Sequence, residues 1–138
     1  MEAVTPHGPI PVVLAMLICD MAIVEQGTNK KTLVGIFDNL IAQEFPVIQR
    51  MAIYVKLTDA QGAYTFRLEL VDIEKNSISG KAESGLIEIQ ERLQPSDFAL
   101  PLTMTIAAPG LYEFRLYAND TYISSISFSA MTAAQSGR

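Results

Sequence analysis

The residues that most often carry out enzyme chemistry are few in this sequence and are not grouped. His7 is the only histidine, and it lies between Pro6 and Pro9 with no partner for acid–base or zinc chemistry near it in the sequence. Cys19 is the only cysteine, and it stands in an apolar run where burial raises a thiol pKa instead of activating the thiol. We therefore predict that neither residue is catalytic.

Carboxylates are the most numerous charged side chains, with 15 Asp and Glu against 10 Lys and Arg. A glycosidase needs two acids about 5–9.5 Å apart in a cleft. Glu83, Glu88 and Glu91 are close in sequence but flank a short predicted strand, which is typical of a solvated sheet face. Asp59 and Asp120 lie in turns without the dense acidic spacing of a calcium loop. We expect no catalytic residue, no metal and no cofactor, and an enzyme with a carboxylate pair is the least favoured alternative.

Charge and hydropathy exclude several kinds of partner. The formal net charge of −5 is opposite to what phosphate-backbone binding requires, so no nucleic-acid partner is expected. Residues 10–24 are strongly apolar, but Asp20 interrupts the run, which is shorter than the ~20 residues of a membrane span. No Lys or Arg precedes Lys30, whereas an export signal begins with positive charge. With one unpaired cysteine as well, these features predict a cytoplasmic protein without a membrane partner.

Alternation of apolar and polar residues predicts strands over most of the chain. It is clear in residues 53–58 and 64–70, and the turn residues between them predict a hairpin. It is equally clear in residues 112–116 and 122–130, which Asn119-Asp120 separates as a second hairpin. Further strands are expected at residues 86–90 and 100–107, and Pro101 favours an edge or a strand end for the second. Residues 78–83 form either an irregular start of the strand at 86–90 or a separate edge strand.

The first apolar run predicts a long strand. Residues 12–24 follow no helical stripe and contain β-branched Val and Ile, so we expect a strand buried on both faces; a helix over residues 14–22 is the alternative, because Leu, Ala and Met favour helix. Residues 26–29 then form a turn into a second strand over residues 31–37. Gly35 inside that strand indicates a bulge or a close backbone approach.

Together these elements predict an all-β domain: a single Greek-key, immunoglobulin-like two-sheet sandwich of seven or eight strands over residues 11–130. Residues 1–10 are expected to form a flexible leader and residues 131–138 a flexible tail. Pro109-Gly110 makes a turn just before Tyr112. That placement predicts a tyrosine corner, in which the buried ring's hydroxyl bonds to upstream backbone.

Three segments also carry a family resemblance: Leu17-Ile18-Cys19-Asp20, Leu33-Val34-Gly35-Ile36-Phe37-Asp38 with Phe45-Pro46, and Pro109-Gly110-Leu111-Tyr112-Glu113-Phe114. Their combination resembles a family of small, stand-alone bacterial β-sandwich proteins of unassigned function over residues 12–130. The closing segment is also similar to the last hairpin of many immunoglobulin-like modules. The resemblance implies a bacterial, single-domain, β-rich protein and no particular mechanism.

The favoured function is a non-enzymatic structural or interaction module. The charged fraction of 18% is below the usual ~25%, which favours an extra buried face and hence a homo-oligomer or another protein partner. The apolar N-terminal hairpin is the expected interface, and the residues assigned to it are Val13, Met16, Ile18, Val34 and Ile36.

The alternative is a ligand-binding sandwich. It would hold a glycan or a peptide strand with polar loop groups and exposed tyrosines, for which Tyr54, Tyr117 and Tyr122 are the candidates.

Overall fold

The computed structural model describes residues 5–134, which form strands and turns without a helix. Its eleven strands are β1 (Val12–Val24), β2 (Lys31–Ile36), β3 (Asn39–Ala42), β4 (Val47–Thr58), β5 (Gly62–Tyr64), β6 (Phe66–Asp72), β7 (Ser77–Glu83), β8 (Ile87–Ile89), β9 (Ser96–Ile106), β10 (Gly110–Ala118) and β11 (Thr121–Thr132).

These strands make a two-sheet sandwich with a small third ribbon. One sheet has the order β2-β1-β4-β9, the other has the order β3-β11-β10-β6-β7, and β5 pairs with β8. The chain crosses between the sheets so that β9 returns beside β4 while β10 returns beside β6, which is the Greek-key arrangement of an immunoglobulin-like domain. The predicted fold class is confirmed, with more strands than the seven or eight expected.

The core lies between the two main sheets and is made of the inward residues of each alternating strand. Phe128 stacks on Phe114 and on Tyr112, with 5.6 Å between ring centroids in both pairs. Burial of each such large side chain stabilises the fold by about 1.5–3 kcal/mol. The alternation predicted for β4, β6, β9, β10 and β11 identifies these inward residues correctly.

The hairpin predicted between residues 53–58 and 64–70 is wrong. Those residues lie in β4 and β6, which belong to opposite sheets. β4 pairs with β1 and β9, whereas β6 pairs with β7 and β10. Alternation looks the same whether two strands lie side by side or face each other across a core, so it could not distinguish the two arrangements.

The first and last hairpins are confirmed. β1 and β2 are antiparallel, with Met21 opposite Val34, and the turn between them covers residues 26–28, inside the expected range of 26–29. Residues 14–22 lie in β1, so the helix alternative for them is wrong. β10 and β11 are antiparallel, with Tyr112 opposite Phe128. Tyr112 is buried, and its hydroxyl donates to the carbonyl oxygen of Ala108 at 2.7 Å. This bond crosses the turn at Pro109, just before β10 begins at Gly110. This is the contact of a tyrosine corner.

Residues near both ends of the described range, 5–134, are bound to the sandwich. His7 exchanges two backbone hydrogen bonds of 2.8 Å with Ala63, and the Tyr64 hydroxyl donates to the carbonyl oxygen of Pro9 at 2.6 Å. Residues 7–9 of the predicted flexible leader are therefore bound to the sandwich. At the other end β11 continues through Thr132, and residues 1–4 and 135–138 lie outside the described part of the chain.

Candidate functional site

The β1–β2 hairpin is the part of the fold that one sandwich does not need for its core. β1 pairs with β4 from Val12 to Cys19 and with β2 from Cys19 to Val24, so it serves two partners in succession. Residues 20–36, which we term the distal hairpin, extend beyond the pairing with β4. β2 is the last strand of its sheet, and its other edge has no strand partner within residues 5–134.

The distal hairpin bends back over the outer face of its own sheet. Cys19 and Ala52 lie directly opposite each other and are 0% and 2% exposed, yet neither belongs to the core cluster, because their side chains point away from it. The hairpin covers them from outside. Lys31, at the start of β2, reaches Asp97 on β9, although β1 and β4 separate these strands in the sheet order.

A close approach at Gly35 accompanies the bend. Gly35 has φ of +70°, in the left-handed region that favours glycine. A Cβ built on it would collide with the carboxylate of Asp20, which lies beside it on β1. The approach predicted at this glycine is confirmed, and it places Asp20 against β2 where the hairpin leaves the plane of the sheet.

A polar contact holds the bent hairpin to the sheet. Lys31 Nζ forms an ion pair with the Asp97 carboxylate and donates to the Asp97 carbonyl oxygen at 3.4 Å, and the Tyr54 hydroxyl donates to the other carboxylate oxygen at 2.8 Å. We term these three residues the latch.

The surroundings of the latch shift two pKa values. Burial by itself would raise the pKa of Asp97, but the bonds from Lys31 and Tyr54 hold it below its ordinary value. Burial, with the hydrogen bond and charge of Asp97, raises the pKa of Tyr54 to about 12. The Lys31 side chain is only 6% exposed and that of Asp97 is 28% exposed, so this is a largely desolvated pair. The ion pair between Lys31 and Asp97 favours a fixed hairpin. The shifted pKa values of Asp97 and Tyr54 both lie far from neutral pH, so neither group is suited to proton transfer there.

The outward side of the distal hairpin is apolar and exposed. Four large side chains on it are about half exposed: Met21 at 51%, Ile23 at 48%, Val34 at 41% and Ile36 at 56%. Met21 and Val34 are opposite each other across the two strands, which makes the four side chains neighbours. We term them the hairpin face.

The five residues predicted for the interface divide between two sides of the sheet. Val34 and Ile36 belong to the hairpin face. Ile18 is 1% exposed and lies in the core, and Val13 and Met16 are half-buried and pack against the core, so these three side chains are not part of the hairpin face.

An irregularity in β1 puts these three side chains on one side. The pairing with β4 shifts register between Val13 and Ala15, so strict alternation does not hold through that segment. Val13, before the shift, therefore lies on the same inward side as Met16 and Ile18, after it. Sequence reasoning missed Met21 and Ile23, although these two large apolar residues after Asp20 are two positions apart, which is the strand spacing that could have identified them.

An open groove lies between the distal hairpin and the sheet. Its volume is about 750 Å³, and its lining includes Val24, Arg50, Pro101 and Thr103. Met21 of the hairpin face also borders this groove. Arg50 is exposed and makes no ion pair with any other residue in the range 5–134. The groove can therefore offer a guanidinium and a hydroxyl above an apolar floor.

The three candidate tyrosines do not come together. Tyr54 is engaged in the latch, whereas Tyr117 and Tyr122 lie on the other sheet with their rings edge to face and their centroids 5.8 Å apart. The guanidinium of Arg67 lies 4.3 Å above the Tyr117 ring. A flat aromatic and charged surface thus exists on the second sheet, away from the groove.

The candidate acids are dispersed as well. Glu83 ends β7, Glu88 lies in β8, Glu91 follows that strand, and all three are exposed. Within residues 5–134 no group of three or more His, Cys, Asp or Glu side chains could hold a metal ion. Arg92 holds the pKa of the Asp59 carboxyl below its ordinary value, which is opposite to the shift that a general acid requires.

Comparison with known proteins identifies a family. The model of a family of unknown function, DUF6941, matches residues 14–131, which is most of the chain and all but the ends of the sandwich. No curated protein matches the sequence. Residues 5–134 contain no helix that is long and apolar enough to cross a membrane.

Proposed function

This chain belongs to the DUF6941 family of unknown function, and we propose that it is a non-enzymatic interaction module of the bacterial cytoplasm that self-associates through the hairpin face. The single observation that carries the proposal is the exposure of four large apolar side chains on one side of a hairpin, Met21, Ile23, Val34 and Ile36. The family resemblance supports a bacterial source, and the unpaired, buried Cys19 supports a reducing compartment.

Two features make association the best use of this surface. The four side chains are contiguous, and clustered apolar exposure marks interaction sites far more often than scattered exposure does. The latch also holds the hairpin in one position through Lys31 and Asp97, so the surface is ordered before a partner arrives. A pre-ordered surface loses less conformational entropy on binding.

The test is a change of charge on the hairpin face. Ile36→Asp places a carboxylate in the proposed contact, and we expect it to keep the protein monomeric, whereas the wild type increases in molar mass across a hundredfold range of concentration. Ile78→Asp is the matched control, because Ile78 is 52% exposed on β7, in the sheet that does not contain the hairpin. Analytical ultracentrifugation gives the masses. A wild type that stays monomeric throughout, or an Ile36→Asp variant that associates like Ile78→Asp, rejects the proposal.

A second candidate function is ligand binding in the groove. It is favoured by Arg50, which has no ion-pair partner in the described chain and borders a groove of about 750 Å³. A panel of glycans, short peptides and divalent ions in a thermal-shift assay tests it, since a ligand that binds only the folded state raises the melting temperature. The shift should be lost in Arg50→Ala, and an unmoved melting temperature across the panel contradicts this candidate.

A further inference from the structure

The groove between the distal hairpin and its sheet is polar at one end and apolar along its length. Resting on the second candidate function, we propose that this groove binds a small amphiphilic carboxylate, with the carboxylate group on Arg50 and Thr103 and the apolar body along the floor. Arg50 on β4 and Thr103 on β9 are directly opposite each other, and both line the groove. Their guanidinium and hydroxyl groups therefore lie side by side on the same face of the sheet.

Arg50 supplies the charge that selects an anion. Its side chain is exposed and makes no ion pair with any residue in the range 5–134. A planar guanidinium binds a carboxylate through two parallel hydrogen bonds, and the Thr103 hydroxyl is a further donor beside it. The Asp20 carboxylate also borders the groove, where it lies against Gly35 of β2. With that negative charge nearby and a single guanidinium, the site favours a monoanion over a phosphate dianion.

The floor of the groove is small and apolar. Alternate residues of a strand share one face, so the line that begins at Arg50 and Thr103 continues along β4 and β9. The next residues on this line that border the groove are Ala52, Pro101 and Ala99. Their small side chains leave room above the sheet, and Ala22 and Val24 of the distal hairpin border that room as well. The apolar body of a ligand would therefore lie between the sheet and the hairpin.

The latch limits the length of the ligand. Tyr54 is the next residue after Ala52 on this face of β4, and its hydroxyl bonds to Asp97, which Lys31 ties to the hairpin. At roughly 3.3 Å per residue, the Cα atoms of Arg50 and Tyr54 are about 13 Å apart. An extended octanoate ion is shorter than this distance. The groove volume of about 750 Å³ also lies in the range of about 300–1,000 Å³ that small-molecule sites occupy.

Calorimetric titration with octanoate tests the role of the charge. Octanoate should bind the full chain, and octanol, which has the same apolar chain without the charge, should bind at least about tenfold more weakly. Arg50→Gln should weaken octanoate binding by at least about tenfold as well. Lys56→Gln is the matched control and should bind octanoate like wild type, because Lys56 is an exposed cation on the same face of β4 that does not line the groove. Equal binding of the two probes, or octanoate binding that survives Arg50→Gln, overturns the proposal.

Two variants test the place of the ligand in the groove. Thr103→Val keeps the size of the side chain and removes the hydroxyl, so it should weaken octanoate binding by about fivefold. Ala99→Leu puts a larger side chain on the half-buried floor and should also weaken binding; if both variants bind octanoate like wild type, the placement is wrong. A protein that binds no octanoate, but whose melting temperature is raised by a glycan or a peptide in an Arg50-dependent way, rejects this inference and leaves the ligand-binding candidate standing. A protein with neither response removes both.

Discussion

Removal of the latch lysine should loosen the distal hairpin without unfolding the sandwich. Lys31→Met keeps most of the apolar length of the side chain and removes the charge that pairs with Asp97. Asp97 then retains the hydrogen bond from Tyr54 and the charge of Lys56. Lys30→Met is the control, because the neighbouring lysine is exposed and has no ion-pair partner in the described residues.

The size of the effect follows from the exposure of the pair. Exposed ion pairs contribute about 0–1 kcal/mol, and breaking a fully buried pair costs about 3–5 kcal/mol. The Lys31 side chain is 6% exposed and the Asp97 side chain 28%, so water can reach the carboxylate once the lysine is gone. We therefore expect a loss of about 1.5–2 kcal/mol, between those limits. At roughly 2.1 cal/mol/K of unfolding entropy per residue, a chain of 138 residues should melt about 5–7 °C lower.

The difference in melting temperature between wild type and Lys31→Met should also depend on pH. Because the pKa of Asp97 is lowered in the folded state, its contribution to stability is present above the ordinary value of 3.8 and disappears as pH falls through the folded-state value. Melting curves followed by circular dichroism should thus separate wild type from Lys31→Met at pH 7 and bring them together in strong acid. Amide hydrogen exchange in residues 20–36 should be faster in Lys31→Met at pH 7.

Two results would refute this reasoning. One is a Lys31→Met protein that melts within a degree of the Lys30→Met control at pH 7. The other is a difference between wild type and Lys31→Met that persists unchanged in strong acid, since a protonated Asp97 can no longer distinguish them.

Three further outcomes are expected. Tyr112→Phe loses the 2.7 Å bond to Ala108, worth about 1 kcal/mol, and should melt roughly 3–4 °C lower; an unchanged curve rejects the tyrosine corner. Gly35→Ala places a Cβ at φ of +70° and against the Asp20 carboxylate, so it should lower the free energy of unfolding, measured with denaturant, by more than about 1 kcal/mol. Adding Asp20→Ala should relieve only the collision, and a full recovery of stability would show that the backbone angle is unimportant. Cys19 is 0% exposed, and burial followed by the nearby Asp20 charge raises its thiol pKa, so it should react with a thiol reagent only on unfolding; rapid labelling of the native protein would contradict the covering hairpin.

The sequence alone determined most of the strands and most of the inward side chains. Alternation is a local property of each strand, so Phe66, Leu68 and Leu70, or Tyr112 and Phe114, could be assigned to the core without knowing any neighbour. The same local information found the first and last hairpins, where short turns join adjacent strands.

Only the tertiary structure decided which strands are neighbours and where the distal hairpin lies. Backbone hydrogen bonds between strands are the same for any residues, so the sequence does not state that β4 and β6 face each other across the core. After Val13 the pairing of β1 with β4 shifts register, and the side chains no longer alternate strictly between the two faces. A prediction that assumes strict alternation therefore does not locate this shift. The latch joins residues 66 positions apart, and such a contact exists only because the stacked and bent strands bring Lys31 to Asp97.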